Sequence, residues 1–244
     1  MITPELEYSS GLSWHWSPTD KASDAELHNG NTRILFHSAD SRRCAGVRGT
    51  MPFANKMEHY FEVEMYPPFH GRARMVGIGT SFTHLESADL DFNPIIGRDQ
   101  YSYGINYTGR VHHRGQEAEH ASDLDANALD KLTIAVLFDT LSHCLSFQIN
   151  GKSYSVAFKG IDPSVEFFPM ACATARNSAI QLTTCRSSVA TLKNLCRKAL
   201  RDHLRQDTSR LQRLPLPPKL VAYLQFLSYR EPSARQPQGI QTEV

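Results

Sequence analysis

The sequence predicts an all-β antiparallel sandwich followed by a small α-helical appendage. Three observations carry this expectation. Phe61, Val63 and Met65 alternate with Glu62 and Glu64, the period of a half-buried strand. Leu145, Phe147 and Ile149, then Tyr154, Val156 and Phe158, alternate with polar residues on either side of Asn150-Gly151. An Asn-Gly pair in that setting predicts a tight hairpin, because a type I′ turn needs positive φ at both central residues. After about residue 184 the period changes: Leu192, Leu195, Cys196, Ala199 and Leu200 recur at helical spacing with Lys193, Asn194, Arg197 and Lys198 among them.

Taken in order, further strands are expected at 12–16, 33–37, 74–80, 101–106, 132–138, 167–173 and 179–184. The run 132–138 is apolar on both faces and reads as a central strand. No amphipathic helix interrupts the series, so short strands and frequent turns point to a sandwich. Gly77-Ile78-Gly79 lies inside a strand candidate, which fits close backbone packing better than a phosphate loop. The segments 84–98 and 115–130 read as long connections, and loops on a rigid sandwich are where binding concentrates.

The stretch 188–227 reads as helix, extended turn, helix. Its middle, Leu214-Pro215-Leu216-Pro217-Pro218, cannot be helical, since proline removes donors and biases its predecessor to extended geometry. A second stripe follows at Leu220, Tyr223, Leu224 and Leu227. So short a segment cannot bury its own apolar faces, and either the sandwich or a partner must cover them. The expected division is 1–185 for the sandwich, 186–228 for the helical unit and 229–244 for a polar, proline-containing, disordered tail.

Composition narrows the function. The chain has 244 residues and a formal net charge of +1, which gives no electrostatic reason to expect nucleic acid or an acidic membrane as partner. No apolar run approaches a membrane span, and residues 1–14 lack the basic start and apolar core of a signal peptide. Five scattered cysteines without a CxxC pair fit reduced thiols in an intracellular setting, cytoplasmic with the nucleus also open. Asn106-Tyr107-Thr108 matches a glycosylation sequon and is read as chance. There is no P-loop, no GxSxG elbow and no HExxH, and His112-His113 would point to opposite faces of a strand. Neither catalysis, nor a cofactor, nor a metal is expected.

With strands and C-terminal pattern laid out, the chain resembles the SPRY domain-containing SOCS box family, most nearly its third subgroup. The likeness rests on Phe36-His37, Arg48-Gly49-Thr50, the run from Met75 to Ser81, Ile95-Ile96-Gly97-Arg98-Asp99, Tyr107-Thr108-Gly109 with His112-His113, and Leu214-Pro215-Leu216-Pro217-Pro218. Two C-terminal motifs in fixed order make it specific. Thr191, Leu192, Cys196 and Leu200 match an Elongin-binding box, with Leu195 on the same helix. Leu214, Pro215, Leu216, Pro217, Leu220, Tyr223 and Leu224 match a cullin box.

The resemblance implies a SPRY sandwich that receives substrates for Elongin B and Elongin C and a cullin-RING ubiquitin ligase, with cullin five as the expected cullin. Ubiquitin transfer would occur elsewhere in that assembly, so the chain itself is expected to be non-catalytic. The alternative is a SPRY interaction scaffold not coupled to ubiquitination.

In the family, a loop-built pocket takes a short Asn-rich peptide with an acidic lead residue. Gly71 aligns with a pocket glycine, Phe92 falls where tyrosine is common and Arg72 where threonine is common. Thr174, Ala175 and Arg176 replace a Val-Trp-Gly run, and the loop 38–43 is short and lacks an Arg-x-Pro pattern. For Phe92 and Ala175, plain core packing is the competing reading. The expectation is a site in the same place, reading a different short peptide that could still contain Asn.

Overall fold

A computed structural model describes residues 13–122 and 124–189, and in the C-terminal region residues 195, 196, 199, 200, 203, 215–217, 220, 221 and 224. In chain order the strands are β1 (Trp16–Lys21), β2 (Ala25–His28), β3 (Arg33–Phe36), β4 (Ala45–Gly49) and β5 (Met57–Met65). They continue as β6 (Arg74–Gly79), β7 (Ser102–Asn106), β8 (Arg110–His113), β9 (Gln116–Glu119) and β10 (Leu132–Asp139). The last are β11 (Cys144–Ile149), β12 (Lys152–Lys159), β13 (Phe168–Ala173) and β14 (Ser178–Val189). Two antiparallel sheets result, one ordered β1-β4-β13-β6-β7-β8-β9 and the other β12-β11-β10-β5-β14-β3-β2.

The sandwich follows from the alternation. Phe61, Val63 and Met65 of β5 face inward and pack with Ile134 and Val136 of β10, Ile34 and Phe36 of β3, and Val76 and Ile78 of β6. The β11–β12 hairpin turns on Asn150 and Gly151 at φ 48° and 74°, the double positive φ that the pair predicted.

Several expectations are corrected. Trp16 opens β1 rather than closing the expected strand at 12–16, and residue 12 lies outside the described residues. The segment 115–130 is not a plain connection, because it carries β9 and a 3-10 turn at Ala126–Ala128. β2, β4 and β8 were not anticipated: β4 reads Ala-Gly-Val-Arg-Gly and is buried throughout, so no alternation marks it.

The segment 84–98 is a connection with a packing role. It crosses the outer face of the first sheet and closes a second, smaller core of Cys44, Ala73, Met75, Ile95, Ile96, Met170 and Cys172, with Leu85 against it. Glycine permits the approach. A Cβ on Gly104 would meet Ile96 Cγ2 at 2.5 Å and the carbonyl of Val76 at 2.9 Å. Gly77 likewise faces the β7 backbone at Tyr103 and Gly104, the close packing expected of that strand.

At the C-terminal end, Leu195, Cys196, Ala199, Leu200 and His203 are helical, as are Leu220, Val221 and Leu224. Pro215, Leu216 and Pro217 are not. The N–H groups of Leu220 and Val221 donate to the Pro217 carbonyl at 2.8 and 3.1 Å, which ties the second helical stretch to the extended one.

Candidate functional site

In the first sheet, the N-terminal ends of β4 and β6 and the C-terminal ends of β13 and β7 lie at one edge of the sandwich. Their flanking loops meet there, and five of the six expected pocket residues sit in two of them. Gly71 and Arg72 precede β6, while Thr174, Ala175 and Arg176 follow β13. Phe92 lies half-buried in the strap 84–98.

Gly71, Thr174 and Ala175 come together as a small-residue floor. Gly71 has φ +86°, and a Cβ there would lie 2.7 Å from the Ala175 Cβ and 3.0 Å from Thr174 Oγ1. Glycine is therefore required twice over, by backbone conformation and by space. Thr174 Oγ1 accepts from the Ala73 N–H at 3.0 Å and donates to the Ala73 carbonyl at 3.2 Å. Ser41 Oγ donates to the Thr174 carbonyl, tying the loop 38–43 to the floor. Ala175 is buried, which agrees with its packing reading, whereas Arg176 is exposed.

Arg72 leads away from the floor. Its Nη1 donates to Asn93 Oδ1 at 3.1 Å. Asn93 donates through both its backbone N–H and Nδ2 to Asp91 Oδ1, and Asp91 Oδ2 pairs with Arg98 at 2.7 Å. The Asn93 backbone N–H, then Arg98, hold the Asp91 carboxyl below the usual carboxylate range. Arg72, Asn93, Pro94, Ile96, Gly97, Arg98, His112, Gly115 and Glu117 line a cleft of about 420 Å³ beside the floor. Of the six expected residues, only Arg72 reaches it.

Five residues not anticipated for the site brace it. The buried Arg74 guanidinium donates to the carbonyls of Tyr66 at 2.7 Å and Pro68 at 3.1 Å and to Ser178 Oγ at 3.0 Å. It also lies 5.4 Å from the Phe69 ring centroid. Phe69 stacks on Tyr107, and the Tyr107 hydroxyl donates to the Gly71 carbonyl at 3.0 Å. Buried His37 donates from Nε2 to the Ala173 carbonyl at 3.1 Å and accepts the Asn177 N–H on its own carbonyl, fixing the 174–177 turn. Arg43 reaches Asp24, Glu86 and Asp89 and so fastens the loop 38–43 to the strap. Most of these partners lie far apart in sequence and leave no local signal; the family motifs marked His37 and Tyr107 but not their contacts.

Other motifs resolve simply. Asn106 is 5% exposed, and its Oδ1 accepts from Thr108 N–H, Thr108 Oγ1 and the Arg110 N–H, so the sequon asparagine is engaged in a turn. His113 stacks on Tyr103 at 3.8 Å inside the sandwich, while His112 faces the cleft. Among the described residues, no group of three or more His, Cys, Asp or Glu could hold a metal, and no helix is long and apolar enough to cross a membrane.

Of the expected Elongin-contact residues, Leu195, Cys196 and Leu200 are helical and exposed. Thr191 and Leu192 lie outside the described residues. Of the cullin-box residues, Pro215, Pro217 and Leu220 are exposed, Leu216 is half-buried and Leu224 is buried. Leu214 and Tyr223 lie outside the described residues.

Comparison with known proteins decides the family. A SPRY domain family model matches residues 58–187, and a SOCS box model matches residues 188–225. The chain belongs to the SPRY domain-containing SOCS box family. SPRY domain-containing SOCS box protein 3 of Xenopus tropicalis is 32% identical over 221 residues, covering 89% of this chain and 59% of that protein. The chain thus spans about three-fifths of that relative's length, and the likeness is to the expected third subgroup. SPRY domain-containing SOCS box protein 1 of Homo sapiens is 22% identical over 91% of this chain and 84% of that protein. Among solved structures, the SPRY domain of human HERC1 superposes with a TM-score of 0.53 at 15% identity, covering 68% of this chain and 96% of that one. The TRIM65 PSpry domain gives a TM-score of 0.54 at 16% identity, covering 70% and 89%. These structures show the fold alone: a SPRY sandwich, here carrying a SOCS box behind it.

Proposed function

We propose that the chain is a substrate-recognition adaptor for an Elongin B/C–cullin-RING ubiquitin ligase. The carrying observation is the order of the two matches, a SOCS box at 188–225 directly after a SPRY domain at 58–187. The receptor is the sandwich, whose last strand runs to Val189, and the coupling unit follows it to residue 228; residues 229–244 are the tail. Leu192 fills a pocket on Elongin C, with Thr191, Leu195, Cys196 and Leu200 on the same helix, and Elongin B joins through Elongin C. The exposure of Leu195 and Leu200, at 46% and 41%, supports a face that awaits a partner. Leu214, Pro215, Leu216, Pro217, Leu220 and Tyr223 form the cullin contact, with cullin five and its RING protein as partners. Leu224, being buried, steadies that helix from inside the chain.

The receptor end captures a short peptide over Gly71, Thr174 and Ala175, flanked by Arg72, Phe92 and Arg176. The adaptor supplies proximity: it raises the local concentration of target lysines near the charged conjugating enzyme and needs no catalytic residue of its own. Its setting is intracellular, cytoplasmic with access to the nucleus.

The test is recovery of Elongin C with the tagged chain from cells. Leu192→Ala with Cys196→Ala should abolish recovery, since central interface anchors contribute about 2 kcal/mol or more each. Undiminished recovery overturns the Elongin assignment and leaves a SPRY scaffold uncoupled from ubiquitination.

A further inference from the structure

The cleft of about 420 Å³ beside the floor lies against the outer face of the β8–β9 hairpin, since Val111 of β8 packs into the core and His112 points the other way. His112 of β8 stands opposite Glu117 of β9 in register, and both line the cleft. The place of His112 is fixed by Gly97, which passes so closely that a Cβ on it would lie 2.5 Å from the His112 Cβ. The His112 side chain is 11% exposed.

The hydrogen bonds around His112 set its tautomer. Asn106 Oδ1 accepts from the Thr108 N–H, Thr108 Oγ1 and the Arg110 N–H, so the amide oxygen and nitrogen cannot be exchanged. Asn106 Nδ2 therefore donates to His112 Nε2 at 3.2 Å, and Nε2 is the bare nitrogen of the ring. Burial lowers the imidazole pKa and keeps it neutral, which leaves its one proton on Nδ1. That Nδ1–H has no hydrogen-bond partner among the described residues. Glu117 follows from the same assignment. Its Oε1 takes Arg110 at 3.1 Å, whereas Oε2 lies 3.8 Å from a His112 nitrogen that has no proton to give. The wall thus presents one donor, His112 Nδ1–H, and one acceptor, Glu117 Oε2, neither of them spent among the described residues.

The charges around this pair disfavour ions of either sign. Arg72 and Arg98 line the same cleft and oppose a cation, and the Glu117 carboxylate opposes an anion. A neutral group carrying both a carbonyl and an N–H fits, and the peptide unit is such a group. Arg72 follows Gly71 in the chain, so the cleft begins where the floor ends. We propose that the cleft is a second subsite for the target and holds the main chain that continues beyond the floor: His112 Nδ1–H donates to a target carbonyl, and Glu117 Oε2 accepts a target N–H. This rests on the peptide-capture reading above. The subsite lengthens the captured segment without reading its side chains, and it excludes proline at the residue whose N–H meets Glu117.

The test uses the full 244-residue chain and binders selected from a random library of about twelve residues, each then shortened by about four residues from either end. Shortening at one end should weaken binding roughly tenfold, and N-methylation of one particular amide in that flank should account for much of the loss, because hydrogen bonds and not a side chain are removed. His112→Gln keeps an acceptor for Asn106 and loses the Nδ1–H, and should bind long and short peptides alike. His112→Asn returns an N–H to the Nδ1 position and should restore most of the difference. Shortening and N-methylation are read on the unaltered chain, so misfolding of either variant leaves the proposal falsifiable. Long and short peptides that bind equally overturn it while peptide capture stands. So does a length effect that survives undiminished in a folded His112→Gln chain, or one that follows a flanking asparagine or glutamine side chain and tolerates every N-methyl group. A library that yields no binder overturns peptide capture, and the proposal with it.

Discussion

Arg74 is 1% exposed and has no carboxylate partner among the described residues. Burial lowers its pKa to about 10, so it remains charged at neutral pH and its donors must be answered by oxygen. The carbonyls of Tyr66 and Pro68 and the hydroxyl of Ser178 answer Nη1 and Nη2, Phe69 covers the face, and the buried Nε has no hydrogen-bond partner among the described residues. Arg74 therefore shapes the loop that presents Gly71 and Arg72. Arg74→Met keeps the apolar stem and deletes the donors, leaving buried acceptors unpaired at about 1–3 kcal/mol. Denaturant titration should show that loss of stability; an unchanged midpoint would mean that the loop is held by other contacts. Sequence gave no hint of this role, because an arginine beginning a strand reads as an exposed charge, and its partners are fixed by tertiary contacts.

The strap 84–98 is the element that covers the outer face of the first sheet. It buries Ile95 and Ile96 against Met75, Met170 and Cys172, and it brings Asn93, braced by Asp91, to Arg72. Ile96→Ala should cost about 2–5 kcal/mol by opening a cavity beneath it. The same substitution should impair target capture more than Elongin C binding, measured in one pull-down. Equal loss of both would show that the strap supports the whole chain rather than the receptor end. The strands legible from sequence were those with alternation, such as β5 and the β11–β12 hairpin, or with a long apolar run, such as β10. β4 was illegible because a short Ala-Gly-Val-Arg-Gly run has neither signal, and the strap because irregular backbone has no period. Of the site, Gly71, Thr174 and Ala175 were placed by family resemblance; their contact depends on β6 pairing with β13.

At the scale of the molecule, pH reports on the sandwich. Burial holds His59, His112, His113 and His120 below the ordinary imidazole value of 6.5. With folded values depressed, these groups are neutral when folded and take up protons on unfolding once pH falls below about 6.5. Their contribution is present above that value and is lost as pH falls toward their folded values. Stability should therefore decline between about pH 7 and pH 5, before the carboxylates begin to titrate. A urea midpoint that is flat or rises over that interval would contradict this.

The central claim is that one chain joins two independent contacts, a SPRY end for the target and a SOCS box for the ligase. The most direct measurement is paired recovery of target and Elongin C from cells with the proteasome blocked. Leu192→Ala with Cys196→Ala should keep the target and lose Elongin C. Arg72→Gln with Arg176→Gln should lose the target and keep Elongin C. Loss of both partners in either variant, or of neither in both, would contradict the account.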